Sequence, residues 1–168
     1  MTTDHKISFE GFSLSLEFER TYTPLEFPAH PDAAFLLDYW RAKEPAGGLV
    51  IGRDIPSRSI SRVLRNLMVN EPTADGRDFY IRVAGTMCLR RYGREVTGLL
   101  FSDLFDQPTF EHHCASAYES LRANRPMLLD VKVKRSGIEQ AHYEIVRLPV
   151  WAPDKAARWS LVGVFFFD

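Results

Sequence analysis

Residues 78–105 read DFYIRVAGTMCLRRYGREVTGLLFSDLF. Phe79, Ile81 and Val83 alternate with Tyr80, Arg82 and Ala84, the period of two that marks a half-buried strand. Gly85-Thr86 ends the run, and Thr86 is placed to N-cap a short helix from Met87 to Tyr92. Gly93 follows, where a helix C-cap favours a residue without a Cβ. Val96-Thr97-Gly98 makes a second turn before another short helical piece ending at Leu104-Phe105. Few small domains combine a strand, a very short helix, a glycine-bounded loop and a second short helix in this way.

Working outward, Asp75-Gly76 is a hairpin turn between Leu67–Glu71 and Phe79–Ala84. The longest helix is predicted from Pro108 to Ala123, with Phe110, Cys114, Ala117 and Leu121 inward and Tyr118 and His113 beside them. Three strands close the chain: one alternating over Leu129–Lys134, one over His142–Val150, and one over Trp159–Phe167. The last is apolar on both faces, Trp159, Leu161, Phe165 and Phe167 against Val162, Val164 and Phe166. Such a strand must be covered on both sides. Upstream, helices are predicted over Asp32–Lys43 and about Ser57–Leu67, with a short strand at Leu49–Ile51. Arg58, Arg62 and Arg65 form a row on the second helix, read as a solvated face or a grip for an acidic partner. Residues 7–20 alternate as one long strand or a pair bent near Gly11, with Phe12, Leu14, Leu16 and Phe18 on one face.

The runs LLDYW (Leu36–Trp40), RDFYIRVAGT (Arg77–Thr86) and YGREVTG (Tyr92–Gly98) resemble a subfamily of short bacterial PAS proteins from about Ala33 onward. The resemblance implies an α+β fold: a five-stranded antiparallel sheet of order 2-1-5-4-3, with short helices and one long helix on one face. An N-terminal strand and helix extend it. The expected organisation is an arm and linker over residues 1–31, helices over 32–66 and the PAS core over 67–168. The outer face of the sheet then needs a cover: the arm, the helix holding Trp40, or a second subunit.

A net charge of −1 over 168 residues argues against a general nucleic-acid binder. Residues 45–100 carry nine Arg against five acids, and residues 1–44 eight acids against four basic groups. The two cysteines, Cys88 and Cys114, suit buried thiols in a reducing cytoplasm. No apolar run has the ~20 residues needed to span a bilayer, and the first residues lack the blocks of a signal peptide. No nucleophile elbow, phosphate loop, zinc pair or Cys-x-x-Cys occurs, so an enzyme is not expected. Asp103 and Asp106 read as turn and capping residues.

The resemblance further implies a small ligand, haem or flavin between the sheet and the short helices. The light-driven flavin adduct is not expected, since Cys88 lies on the wrong helix. Haem is not expected either; His113 would be its iron ligand. Tyr80, Arg82, Met87, Tyr92, His113, Tyr118 and Tyr143 are the expected lining of a small-ligand cavity. The chain carries no output domain, so it is read as a stand-alone bacterial sensor that signals in trans to a protein partner. The alternative is a ligand-free adaptor; after it and a haem sensor stands a cone-shaped α+β enzyme of the ketosteroid-isomerase kind, which would need an acidic or His base facing a large apolar cavity. A homodimer is expected through Phe12, Leu14, Leu16, Phe18, Trp40, Val162, Val164 and Phe166.

Overall fold

The computed structural model describes residues 2–9 and 12–168, with side chains from Phe18 onward. Seven strands form one antiparallel sheet: β1 (Thr2–Phe9), β2 (Phe12–Pro24), β3 (Leu67–Pro72), β4 (Phe79–Ala84), β5 (Met127–Arg135), β6 (Ile138–Trp151) and β7 (Arg158–Phe166). Their spatial order is β1-β2-β5-β6-β7-β3-β4. The expected core order is therefore present as β4-β3-β7-β6-β5, with β7 between β6 and β3.

Two more strands join this core. The arm was one candidate to cover the outer face; instead it continues the sheet. β2 pairs with β5 from Glu19↔Lys134 to Pro24↔Leu129, and β1 pairs with β2. The free edge of β5 explains the difference, because its unpaired N–H and C=O groups accept a strand more readily than an apolar face does. Phe12–Phe18 run beyond that register, so among the described residues this half of β2 pairs with β1 alone. The bend proposed at Gly11, and the apolar side chains of Phe12, Leu14 and Leu16, lie outside what the structure describes.

Helix α1 (Pro31–Lys43) covers the outer face. It buries Leu36, Leu37 and Trp40 against Val146, Leu148, Val150, Leu161 and Phe165. Trp40 donates its indole N–H to the Pro149 carbonyl at 2.7 Å. Gly163 allows the close approach, since a Cβ there would lie 2.7 Å from Cδ2 of Leu36 and from the Phe165 ring. Trp159, near the start of β7, is partly buried at the margin of this cluster and Phe165 is fully enclosed.

The inner face carries α2 (Thr86–Tyr92), α3 (Phe101–Leu104) and α4 (Gln107–Ala123). Gly85, and not Thr86, is the N-cap of α2, with no side-chain cap bond; Gly93 ends it at φ +69°. Asp106 caps α4, its Oδ1 accepting the Thr109 N–H at 2.9 Å, and Asp103 accepts the Leu100 N–H at 3.1 Å. The helix predicted over Ser57–Leu67 is two separate 3-10 turns, Arg58–Ile60 and Leu64–Asn66. Its arginines therefore share no stripe. Arg62 pairs with Asp32 at 2.5 Å and lies over the Phe35 ring, which ties the segment to α1. Leu49–Ile51 forms isolated bridges, Val50 with Trp151 and Ile51 with Ile55, in place of a strand.

Candidate ligand cavity

Between the inner face and its helices lies a partly open cavity of about 250 Å³. That exceeds the ~150 Å³ known to admit benzene. Strand pairing sets its floor: Met68 stands opposite Val162, Val162 opposite Arg147, and Val164 opposite Ile145. Cys88, Arg91 and Tyr92 of α2, Phe101 and Leu104 of α3, and Thr109 and His113 of α4 form the roof. Arg20 and Tyr143 line it from the side of β2 and β6.

Arg147 dominates the electrostatics. It is 2% exposed, and its Nη2 donates to Nδ1 of His113 at 2.5 Å. Arginine has no acceptor, so Nδ1 is the accepting nitrogen and the His113 proton sits on Nε2. The Arg147 Nε is buried without a partner. Among the described residues no ion pair reaches this guanidinium. Burial pulls its pKa down to about 10, with nearby tyrosines opposing the fall, so it stays charged at neutral pH. Burial, and then this cation, hold His113 well below the usual imidazole range. The same two causes bring His112 down to about 4. A buried charge without a counter-charge costs several kcal/mol.

Other groups around the cavity are also unmatched. Asn70 is 0% exposed and neither atom of its amide has a partner. Arg20 Nη1 and Arg91 Nε are likewise buried and unpaired. One acid, Asp106, lines the same space as these three arginines. The remaining wall is apolar, chiefly Met68, Phe101, Leu104, Phe105, Ile145, Val162 and Val164.

Of the residues expected to line a cavity, Tyr92, His113 and Tyr143 do so. Tyr80 and Arg82 point to the solvent side of β4: Tyr80 is 40% exposed, and Arg82 pairs with Glu71 and lies over the Tyr80 ring. Tyr118 packs on Phe79 and donates to the Asp78 carbonyl at 2.8 Å, so it holds the β3–β4 hairpin. Met87 is half-buried on α2 outside the cavity wall. Sequence reasoning missed Arg147, Asn70, Arg20 and Arg91. The signal for the first two was a polar residue inside an apolar run, Arg147 in IVRLPV and Asn70 in LMVNEP.

Three residues assigned to a partner surface lie within the chain's own core. Trp40 is 5% exposed under α1, and Val162 and Val164, at 6% and 8%, line the cavity. The parity of β7 is the reason: it turns Leu161 and Phe165 to α1 and the valines to the ligand side. Phe166 stands at the rim with Arg91 over its ring, and Phe18 is half-buried against the inner cluster. His112, beside His113 on α4, stacks its ring on Tyr22 of β2 with centroids 3.6 Å apart.

A PAS domain family model matches residues 29–166. The chain belongs to the PAS domain family. No curated protein and no solved structure matches it. PAS domains are in general sensory and regulatory modules, typically without enzymatic activity, and the cavity occupies the place between sheet and short helices where the fold holds ligands. In this PAS domain β1 and β2 precede the matched region, so Arg20 is contributed from outside it. The residues do not fit a porphyrin. The volume falls short of the ~300–1,000 Å³ of pockets for drug-sized molecules, and a guanidinium occupies one side of the His113 ring. Cys88 is buried in the roof, where burial pushes its thiol pKa up. No helix among the described residues is long and apolar enough to cross a membrane.

Proposed function

We propose that this PAS domain is a sensory module that takes a small molecule into its inner cavity and passes occupancy to a protein partner. The observation that carries the reading is Arg147, a buried cation whose Nε has no partner among the described residues. A ligand-free adaptor gains nothing from that arrangement, because an apolar side chain of similar volume would fill the space at lower cost. Strand β6 offers the route outward. Ile145 and Arg147 face the cavity, and the intervening Val146 and Leu148 pack under α1. A ligand that moves β6 therefore moves the seat of α1.

Adaptor behaviour is the second reading, and the arm favours it. Half of β2 pairs with β1 alone among the described residues, which leaves a hairpin standing beyond β5 and available to a second copy of the chain. The two readings separate in a native mass spectrum of protein purified without denaturation, followed by a thermal-shift screen of metabolites. Added mass or a saturable shift supports the sensor. A clean apo mass with no shift from any compound sinks it and leaves the adaptor.

A further inference from the structure

We propose that the cavity is built for a small organic carboxylate carried on an apolar body of single-ring or short-chain size, a proposal that deepens the sensory reading and rests on it.

Donors and acceptors do not balance around this cavity among the described residues. Arg147 Nε, Arg20 Nη1 and Arg91 Nε are buried donors with nothing to receive them. Arginine can only donate, so three such groups around one cavity, from its floor, roof and side, call for an acceptor-only group. Asn70 adds a buried amide whose hydrogens and oxygen are both without a partner among the described residues, so it contributes a donor group and one neutral acceptor. Among the described lining residues one carboxylate, Asp106, stands against three guanidinium charges, and its Oδ1 accepts the Thr109 N–H at the start of α4. His113 cannot supply the missing acceptor, because its Nδ1 already receives Arg147 Nη2. An anion from outside completes the set, and a planar carboxylate matches the guanidinium fork.

The rest of the wall sets the body of the ligand. Met68, Phe101, Leu104, Phe105, Val162 and Val164 offer apolar surface that inorganic phosphate would leave uncovered. A volume of about 250 Å³ holds one ring with a short side chain, or a chain of several carbons. Arg20 makes the site particular to this chain, since it comes from a strand outside the family match.

The test is calorimetric titration of the full chain near neutral pH with benzoate, phenylacetate and hexanoate, with their primary amides, and with inorganic phosphate. We expect at least one acid to bind, and its amide to bind about tenfold to a hundredfold more weakly, the usual worth of a hydrogen-bonded charge. Arg147→Met should erase the acid-over-amide preference, and Arg20→Met should reduce it. The preference in the unmodified chain stands as a test even if a variant does not fold. Equal binding of acid and amide, binding of amides alone, or phosphate binding tighter than every acid overturns the carboxylate assignment and leaves the sensory reading standing. A chain that binds none of the acids overturns it as well. If that chain nonetheless retains a neutral compound from its host or is stabilised by another metabolite, only the anion is wrong; a clean apo mass with no thermal shift from any compound brings both readings down together.

Discussion

Glu144, 2% exposed in the middle of β6, accepts the backbone N–H of His30 at 3.0 Å. Its other oxygen accepts the Ala29 N–H at 2.8 Å. Two consecutive amides just before α1 are thereby fastened to the sheet by one buried carboxylate. Hydrogen bonds to a charged group are worth about 1.5–3 kcal/mol each. Glu144→Ala should therefore cost about 2–4 kcal/mol in a denaturant melt, and Glu144→Gln, which keeps one acceptor, clearly less. Equal losses would show that the side chain acts by filling space and not by holding the linker.

Phe165 and Trp159 share a face of β7 but differ in enclosure. Phe165 is 1% exposed beneath α1, and Trp159 is partly buried at the cluster's margin. Phe165→Ala should cost about 3–5 kcal/mol through lost burial and a residual cavity. Trp159→Ala should cost measurably less, because water can relax into the space. Urea melts of the two variants give the comparison directly.

Gly163 is a packing requirement. A methyl group added there would stand 2.7 Å from Leu36 Cδ2, so Gly163→Ala should overpack the α1 interface by about 1–3 kcal/mol. Pairing it with Leu36→Ala should recover part of that loss, since the two changes share one space. Additive losses in the double variant would place the strain elsewhere, at the Phe165 ring.

The histidines of α4 make stability depend on pH with a definite sign. His112 is held at about 4, by burial and then by Arg147, below the ordinary value of 6.5 that applies to the unfolded chain. Between those values the unfolded state binds more protons, so stability rises with pH and is complete above about 6.5. It is lost as the pH falls toward 4, and His113 adds in the same direction. Denaturant melts from about pH 4.5 to 7.5 should show the slope, and His112→Asn should flatten it. An unchanged slope in that variant would assign the effect to His113 alone.

The arm's contribution is read by removing residues 1–27. Truncation strips β2 from the β5 edge and takes Arg20 from the cavity, so the chain should melt earlier. If the hairpin also joins two copies, light scattering should give twice 19.3 kDa for the full chain and a single copy for the truncated one. The same mass per particle for both would remove the arm from any role in dimerisation.

Periodicity made most of the framework legible. The resemblance to PAS proteins implies a strand order with β7 inside the sheet, and the two apolar faces of the last strand agree with it and call for a cover, α1 being one candidate. Amphipathic alternation in the arm showed a strand but not its neighbour, because an edge partner is chosen by backbone groups that every residue carries. The cavity was harder to read. Tyr92, His113 and Tyr143 belong to a generic polar and aromatic set that also takes in Tyr80, Arg82, Met87 and Tyr118, whereas Arg147 reads in sequence as one charge in an apolar run. An isolated arginine there is ambiguous until the opposite wall is known to contain no carboxylate that pairs with it.

The two-sided burial of β6 and β7 also decides where this domain has room to evolve. A substitution at Val146, Leu148 or Leu161 disturbs α1, and one at Ile145, Val162 or Val164 disturbs the cavity floor, so the central strands tolerate few replacements of either kind. The roof is built differently, from short helices and their connecting turns, where Tyr92, Leu104 and Phe105 can be exchanged without breaking a strand ladder. Descendants of this chain that acquire a new chemical preference should accordingly differ in α2 and α3 first, over a sheet that stays nearly constant.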